Sequence, residues 1–265
     1  MLNQAVIARQ GTPEAVSNPA RFRASFAVSQ REVLASQRLR YLVFGKEMGA
    51  KLSGRFFRLD RDRYDSFCRH LLIRDTYTGK IVACTRVLTQ EHAERAGGFY
   101  SSSEFRLDPV LALPGRFMEL GRTCVHPDYR NGAVIALLWS RVAEFILDNG
   151  YDYLIGCASI DARDGGLNAH AIMQRLQEKY MTPSYVRVEP RHRLPLPVGM
   201  QSSVQPNIPP LIKAYLSIGA RAAGEPCWDE DFGVADVFML LNVSDMSPRY
   251  ARHFLKRGSR GLTAH

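Results

Sequence analysis

The sequence lacks a long hydrophobic run. No apolar stretch approaches the roughly 18 residues that would span a bilayer, and the segment from Met1 to Ala20 is polar, without the hydrophobic core of a signal peptide. We therefore predict a cytoplasmic protein. Its first 25 residues are expected to form a loose tail, and residues 26–265 a single domain.

The sequence also lacks paired cysteines. Its five cysteines are an odd number, and no two of them stand at C-x-x-C spacing. Four lie in apolar or strand-like contexts, which favours reduced and mostly buried thiols. We predict no metal site, because no ligand spacing is present. A cysteine nucleophile stays open, although nothing marks one.

Internal repeats and low-complexity segments are missing as well, but proline is unevenly distributed. Half of the 14 prolines fall between Pro183 and Pro210. Such a stretch cannot be a regular helix or a central strand. It predicts a crossing loop over residues 182–210, followed by a C-terminal elaboration over residues 211–265.

The net charge of +9 favours an acidic partner, which can be nucleic acid, anionic lipid or an acidic carrier protein. Most basic residues are scattered, and no stacking-aromatic motif of RNA-binding type occurs, so we expect no nucleic acid. Residues 249–260 interleave basic and aromatic side chains. This pattern is typical of a peripheral contact with the inner membrane surface, or of docking to a carrier protein.

Hydrophobic periodicity predicts a mixed α/β sheet. The expected helices cover residues 29–50, 131–149, 168–179 and 211–220, and the expected strands cover 70–75, 81–88, 117–125, 153–159 and 234–243. The first two strands read as an antiparallel hairpin. The strand–helix–strand unit over 117–159 implies parallel neighbours joined by a right-handed crossover.

The most informative block is FMELGRTCVHPDYRNGAVIALLW at residues 117–139. This strand–loop–helix unit resembles the central motif of the GNAT acyltransferases. The resemblance implies a GNAT-like mixed sheet with splayed parallel strands flanked by helices. It also implies that the strand receives the pantetheine arm and that the helix N-terminus holds phosphate. The residues implied in this role are Cys124, Val125, Arg130, Asn131 and Gly132.

The block departs from the acetyl-coenzyme A pattern after Arg130. Ala133 and Ile135 stand where small residues are expected, and their side chains crowd a pyrophosphate. This favours acyl carrier protein, which presents pantetheine on one phosphate and has an acidic surface. We predict no tightly bound cofactor.

A second resemblance is carried by Arg40, Val43 and Phe44, by Tyr64–Asp65, by 79–86 and by Glu119 with Arg122. Over residues 29–160 this set is similar to the acyl-homoserine-lactone synthases. The longer form, with GRTCVHPDYRNG, YLIGCAS and a long C-terminal part, resembles the bacterial ornithine N-acyltransferases from residue 25 onward.

The ornithine resemblance implies transfer of a 3-hydroxyacyl group from acyl carrier protein to the α-amino group of L-ornithine, the first step of ornithine-lipid synthesis. Three alternatives stay open. One is an N-acyltransferase for another amino acid such as glycine, and the second is an acyl-homoserine-lactone-type synthase. The third, of a different class, is a non-catalytic basic module that binds membranes or nucleic acid.

Glu119 is a carboxylate in an otherwise apolar strand, and we expect it to act as a base or to orient substrate. Arg122 is assigned to the same catalytic pair. The structural alternative is that Glu119 simply pairs with Arg86 or Arg122. Residues three apart in a flat strand point to opposite faces, so Glu119 and Arg122 share a face only if the strand contains a bulge.

The substrate-binding candidates are Arg40, Asp65, Arg86 and Ser159. Either arginine can bind the carboxylate of an amino acid as a fork, and Ser159 is a candidate for an oxyanion or pantetheine contact. The second ammonium of ornithine requires a carboxylate, for which Asp65 is favoured. The alternatives are Asp60, Asp62, Asp161 and Asp164, which read more simply as solvated loop charges.

Overall fold

The strands are taken from a computed structural model, which describes residues 20–130, 132–196 and 206–246. In chain order they are β1 (Phe22–Phe26), β2 (Arg69–Asp75), β3 (Ile81–Thr89), β4 (Phe105–Arg106), β5 (Phe117–Val125), β6 (Tyr153–Asp161), β7 (Glu189–Pro190), β8 (Arg221–Ala222), β9 (Cys227–Asp229) and β10 (Val234–Asn242). The long strands β2, β3, β5, β6 and β10 confirm the five that were predicted.

The α-helices in the described ranges are α1 (Gln30–Arg40), α2 (Gln90–Ala96), α3 (Asp108–Leu111), α4 (Gly132–Asn149), α5 (Leu167–Lys179) and α6 (Pro210–Ile218). The prediction of one α-helix over residues 29–50 was wrong in its second half. A π-helical turn, Tyr41–Glu47, continues from α1, and hydrophobic spacing alone does not distinguish that wider winding from an α-helix.

Eight strands form one sheet in the order β1-β2-β3-β5-β6-β10-β8, with β9 paired to β10. The long ladders are antiparallel except that of β5 with β6. A short second sheet joins β4 to β7. The mixed α/β fold class is therefore confirmed, and the hairpin and the parallel pair are where the sequence predicted them.

Strand β1 corrects the predicted N-terminal tail. Residues 22–25 were expected in the tail, but Phe22–Phe26 pairs along its whole length with Asp75–Leu71 of β2. The strand is too short, and its apolar alternation too weak beside Arg21 and Arg23, to be recognised from the sequence. Its pairing is supplied by the exposed edge of β2.

The two faces of the sheet carry different layers. Helices α4, α5 and α6 cover one face through a large apolar core that includes Leu71 and Ile73. On the other face α1 packs on Leu72 and Cys84. This follows from the period of two along a strand, which sends neighbouring side chains to opposite faces.

Strands β5 and β6 separate after a short contact. They pair in parallel at three positions, the last of which joins Glu119 to Ile155. Strand β6 then continues along its full length with β10. At the separation point the backbones are very close, since a Cβ on Gly156 would lie 2.4 Å from the Leu120 carbonyl oxygen. Only glycine permits that approach. Beyond it lies a wedge-shaped opening between β5 and β6.

Within residues 20–130, 132–196 and 206–246, none of the helices combines the length and the apolar character needed to cross a bilayer.

Candidate active site

A network of buried ion pairs ties α1 to the segment that precedes β2. Arg40 is 0% exposed. Its Nε donates to Asp60 Oδ2 at 2.7 Å, and its Nη1 donates to Asp65 Oδ1 at 2.7 Å. Asp65 also accepts from Gln37 Nε2 at 3.1 Å and from the Asp62 main chain at 3.1 Å. Both of its carboxylate oxygens are therefore engaged.

Electrostatics stabilise the charged forms of this pair. Burial by itself lowers the pKa of Arg40, but the hydrogen bond with Asp65 and the charges of Asp60 and Asp65 raise the pKa above its usual value. Burial opposes ionisation of Asp65, but the hydrogen bond and charge of Arg40 hold the pKa of that carboxyl well below its usual range. The pair is thus charged at any pH that the folded protein meets.

Arg86 extends the network along β3. Its Nη1 lies 2.6 Å from Asp62 Oδ1 and 3.3 Å from Asp65 Oδ1. Its guanidinium also faces the ring of Tyr100, with 5.7 Å between the central carbon and the ring centroid. The Nε of Arg86 is buried and has no hydrogen-bond partner among the described residues.

A β-bulge brings Arg122 into the network. Cys84 of β3 faces Cys124 of β5, whereas Arg86 faces Gly121, so β5 contains one extra residue. Arg122 lies in this bulge with φ of +53°, in the left-handed region that side chains rarely adopt.

The bulge turns Arg122 towards the same face as Glu119. Its Nη1 donates to the Tyr100 hydroxyl at 3.3 Å, and its Nε lies 3.3 Å from Asp60 Oδ2. The guanidinium is held between the rings of Tyr100 and Phe232, at 5.0 and 4.9 Å from their centroids.

Glu119 pairs with neither Arg86 nor Arg122, the two partners that the sequence suggested for it. Its carboxylate accepts from the main-chain N–H groups of Tyr100 at 2.6 Å and Ser101 at 2.8 Å, and also from the Ser101 hydroxyl. No ion pair joins Glu119 to Arg86 or Arg122 in this part of the described chain. Burial raises the pKa of Glu119, and its hydrogen bonds with Ser101 and Tyr100 oppose that rise.

A small cavity lies beside Glu119. Its volume is about 10 Å³, and its walls include Arg86, Tyr100, Glu119 and Gly121. This volume is sufficient for about one water molecule. Glu119 therefore has room for a proton relay, whereas a whole amino acid does not fit there.

A second cluster on the same face consists only of carboxylates. Glu104, Asp229 and Asp236 bring one oxygen each to within 4.8 Å of one another. The Ser159 hydroxyl donates to Asp236 at 2.6 Å. Three oxygens at this spacing can hold a cation, which is either a hard metal ion or an ammonium group.

The other predicted residues do not all face the opening between β5 and β6. Ser159 is exposed on β6. The side chain of Cys124 turns away under α1, where its sulfur lies 3.6 Å from that of Cys84. Gly132 begins α4. Asn131, the remaining predicted phosphate contact, lies outside the described residues.

Arg130 forms an ion pair on the surface. Both of its terminal nitrogens lie 2.6 Å from the carboxylate oxygens of Glu47, and its Nε donates to the Val125 carbonyl at 3.3 Å. A phosphate group would have to compete with Glu47 for this guanidinium.

Comparison with known proteins decides the family. A family model described as an acetyltransferase (GNAT) domain matches residues 39–140. The L-ornithine N(alpha)-acyltransferase of Rhizobium meliloti (strain 1021) is 34% identical over 86% of this chain and 82% of its own length. The protein of the same name from Brucella abortus (strain 2308) is 31% identical over 95% of both chains. The chain belongs to the L-ornithine N(alpha)-acyltransferase family.

The fold of this L-ornithine N(alpha)-acyltransferase family member also has a solved counterpart. The structure of an N-acyl amino acid synthase from uncultured soil microbes covers 85% of this chain and 92% of its own, with a TM-score of 0.50 and 12% identity. At that identity the likeness concerns the fold alone. The chain is an acyltransferase of the GNAT type. Both the family resemblance and the fold class that were predicted from the sequence are confirmed.

The structure brings most of the predicted residues of this acyltransferase to one face of the sheet. Arg40, Asp65, Arg86 and Arg122 share one ion-pair network, and Glu119 lies next to it. The roles of these residues stay predictions. The carboxylates offered for a second ammonium are already engaged, since Asp161 pairs with Arg163 and Asp164 accepts two main-chain N–H groups.

Sequence reasoning missed Tyr100, Glu104, Asp229 and Asp236. Tyr100 and Glu104 lie in a segment that reads as an irregular loop, and the aspartates belong to the C-terminal part that has no motif of its own. The one available signal was Asp236 within an apolar strand, ADVFMLLNV, which poses the same question as Glu119 does in β5.

Proposed function

We propose that this chain transfers a 3-hydroxyacyl group from the phosphopantetheine of acyl carrier protein to the α-amino group of L-ornithine, which yields a lyso-ornithine lipid. The observation that carries the proposal is the similarity to L-ornithine N(alpha)-acyltransferases over most of both chains. The opening between β5 and β6 supports it, because a thioester arm needs an entry of this shape.

The opening accounts for the donor. Beyond the last parallel pair at Glu119, the β6-facing edge of β5 has no ladder partner among the described strands. Backbone N–H groups on such an edge can hydrogen-bond the pantetheine arm and stabilise the oxyanion of the thioester carbonyl. Gly156 keeps the two backbones close at the apex, so the arm stops level with Glu119.

A basic groove beside the opening fits an acidic carrier protein. It has a volume of about 780 Å³ and lies between α1 and the end of the β2–β3 hairpin. Arg31, Arg38, Lys80 and His126 line it, and Glu32, the acidic side chain among its described lining residues, is paired with Arg74. His126 directly follows β5, so a protein docked here would lie at the mouth of the opening. The surplus of positive charge favours an acidic carrier protein as the docking partner.

The ion-pair network accounts for the acceptor. Arg86 has a buried Nε without a partner in the described chain, which leaves it able to donate to the carboxylate of an amino acid. The acceptor would then lie with its α-amino group near Gly121, against the thioester carbon, once the side chains that line the small cavity move apart to admit it.

The reaction needs the amine in its neutral form. One proton of the ammonium passes through a water in the small cavity to Glu119, whose pKa burial raises towards that of an amine. The nitrogen forms a bond to the carbonyl carbon, and the carbon–sulfur bond breaks. The pantetheine thiolate leaves and takes a second proton from the new amide nitrogen. No covalent enzyme intermediate is required, because positioning and oxyanion stabilisation suffice.

The deciding experiment measures lipids in a bacterial host that lacks ornithine lipids. Mass spectrometry should detect acylated ornithine with the wild type. The Glu119→Gln variant should lower the rate by about 10²- to 10⁴-fold, because it removes the proton acceptor. Glu94→Gln, on the exposed side of α2, is the matched control and should retain the wild-type rate.

Purified enzyme then tests donor and acceptor separately. We expect turnover with 3-hydroxyacyl carrier protein and much less with the same acyl group on coenzyme A. Acylation of another amino acid in place of ornithine would contradict the acceptor, and equal use of both donors would contradict the carrier protein. Binding to anionic vesicles without turnover would favour the non-catalytic alternative.

The basic segment over residues 249–260 lies outside the described residues, and its charge is the basis for a membrane contact. Since the product is a lipid, we infer that this segment holds the enzyme at an anionic membrane surface. Co-sedimentation with vesicles containing anionic lipid, lost when residues 247–265 are removed, is the expected result. Equal sedimentation of both forms would contradict it.

A further inference from the structure

The carboxylate cluster of Glu104, Asp229 and Asp236 is unusual for its burial. Glu104 is 8% exposed and Asp236 is 5% exposed. The three come from separate parts of the chain: Glu104 follows the 3-10 turn Tyr100–Ser103, Asp229 ends β9, and Asp236 lies on β10. The fold therefore assembles three acidic groups in one place, where their mutual repulsion and their desolvation oppose folding.

No cation of the described residues is in direct contact with this cluster, and the charge of Arg122 lowers the pKa of Asp229 and Asp236 only from a distance. Within the ranges that the structure describes, none of the three forms an ion pair. Asp236 accepts from Ser159 and Asp229 accepts from the Phe232 N–H at 3.1 Å. Glu104 Oε2 is buried and lacks any hydrogen-bond partner among these residues. An unpartnered buried carboxylate oxygen that faces two other carboxylates is suited to accept from a positively charged donor.

The cluster lies next to the reaction centre. Asp236 is paired in register with Ser159, which is exposed at the opening between β5 and β6. The segment over residues 100–104 links the two sites. Its first residue, Tyr100, contacts both Glu119 and Arg122, and its last residue, Glu104, belongs to the cluster. A ligand that reaches from the network of arginines into this cluster therefore passes Glu119.

We propose that Glu104, Asp229 and Asp236 bind the distal ammonium group of the acceptor amino acid, an inference that rests on the proposed function. The acceptor then has a recognition point at each end. Its carboxylate meets Arg86, its distal ammonium meets the three carboxylates, and the α-amino group lies between them, beside Glu119. The ammonium has three N–H donors, and each carboxylate offers it an acceptor.

The proposal explains how an amino acid with a second amine is selected. An acceptor of the same length without that amine leaves three clustered carboxylates, two of them buried, without a positively charged partner, which costs binding energy. Sites built around a hydrogen-bonding group reject analogues that lack it by large factors, on the order of 10⁴. L-Norvaline is the suitable probe, because it has the carbon chain of ornithine and no distal amine.

The experiment compares kcat/KM for L-ornithine and L-norvaline in the wild type, Glu104→Gln and Asp236→Asn. We expect the wild type to prefer ornithine by at least about 100-fold. Each variant should reduce that preference at least tenfold. The reduction should come from a lower kcat/KM for ornithine, while kcat/KM for norvaline stays the same or rises. Asp161→Asn is the matched control, since this exposed carboxylate on β6 is paired with Arg163, and it should keep the preference.

The outcomes separate the two proposals. If the wild type acylates ornithine and the variants keep its preference over norvaline, the recognition site is wrong and the proposed function stands. If both substrates fall equally, the cluster has a structural role and the recognition site is again wrong. If the wild type does not acylate ornithine, the proposed function itself fails.

Two further measurements protect this test. Ornithine should raise the melting temperature of the wild type and of Asp161→Asn but not of Glu104→Gln, which reports binding without turnover. Activity that is lost on chelation and restored by Mg²⁺ or Ca²⁺ only when the cluster is intact would overturn the proposal in favour of a metal site.

Discussion

The two charged clusters on this face of the sheet are close together and oppositely organised. Around Arg40, three arginines meet three aspartates, and the shortest distance between opposite charges is 2.6 Å. Around Glu104, three carboxylates form no ion pair with a cation of the described chain, and Arg122 acts on two of them only from a distance. The first cluster is complete in the free protein. The second is incomplete, and a ligand can complete it.

The difference teaches that burial of charge has two meanings in one active site. Balanced charges hold the loop before β2 and the bulge of β5 in place, and so preserve the geometry that a substrate meets. Unbalanced charges oppose folding until a cation arrives. The same face thus contains one cluster that stabilises the protein and one that favours a ligand, and the two should respond to substitution with opposite signs.

The largest effect is expected in the balanced cluster. Arg40→Met removes its central cation and leaves Asp60 and Asp65 buried without compensation, so the free energy of unfolding should fall by about 3–5 kcal/mol. Denaturant unfolding measures this loss. Arg38→Met, two residues away on α1 and exposed, is the control and should change the free energy of unfolding by less than about 0.5 kcal/mol. A loss below about 1 kcal/mol for Arg40→Met would show that the network does not hold the fold.

An intermediate effect is expected from pH, with opposite signs in the two clusters. Burial raises the pKa of Glu104 to about 8 and that of Asp236 to about 6. At a pH between the ordinary carboxyl pKa and these raised pKa values, the folded state binds more protons than the unfolded state. The free energy of unfolding should therefore fall as pH rises from about 5 to 8. The pKa of Asp65 is lowered, so its contribution is lost only as pH falls below about 4.

Thermal melts of the ligand-free protein test this contrast. The melting temperature of the wild type should decline from pH 5 to pH 8. The double variant Glu104→Gln/Asp236→Asn should show a smaller decline and a higher melting temperature at pH 8, because the repulsion is gone. Parallel curves for the two proteins would mean that the cluster is not strained in the folded state.

The smallest effect is expected on the surface. Glu47 and Arg130 form a short bidentate pair, but their side chains are 39% and 47% exposed. Exposed pairs contribute only about 0.2–1 kcal/mol, so Glu47→Gln should barely change the free energy of unfolding. It should instead lower KM for the acyl donor, because it frees Arg130 for phosphate. Steady-state kinetics with varied donor checks this, and an unchanged KM would remove Arg130 from the phosphate site.

The sequence predicted the regular elements well where the periodicity was strong. Strand β5 begins and ends at the predicted residues, and Ile81–Thr89 and Tyr153–Asp161 differ from prediction only at their last residues. Prediction failed for β1, whose pairing depends on the edge of β2, and for the π-helical turn after Arg40, whose winding hydrophobic spacing does not report.

The sequence predicted one part of the candidate site and missed another part. Arg40, Asp65, Arg86, Glu119 and Arg122 follow from motifs, and the structure brings them together. The partners of Glu119 could not be foreseen, because two of the three are main-chain N–H groups of an irregular turn, for which any residue type except proline would serve. The role of Glu104 could not be foreseen either, because this residue belongs to a cluster only when β9 and β10 lie beside it.

By itself, then, the sequence determined the strands, the crossover and the family, because apolar periodicity and short motifs are local properties of the chain. The tertiary structure alone decided which charges are balanced. Balance depends on distances between residues such as Glu104 and Asp236, which are 132 positions apart in the sequence. It also depends on one extra residue in β5, which turns Arg122 to the face of Glu119. No short segment encodes these distances or the face of the sheet on which a side chain lies, since both arise from how the strands pair.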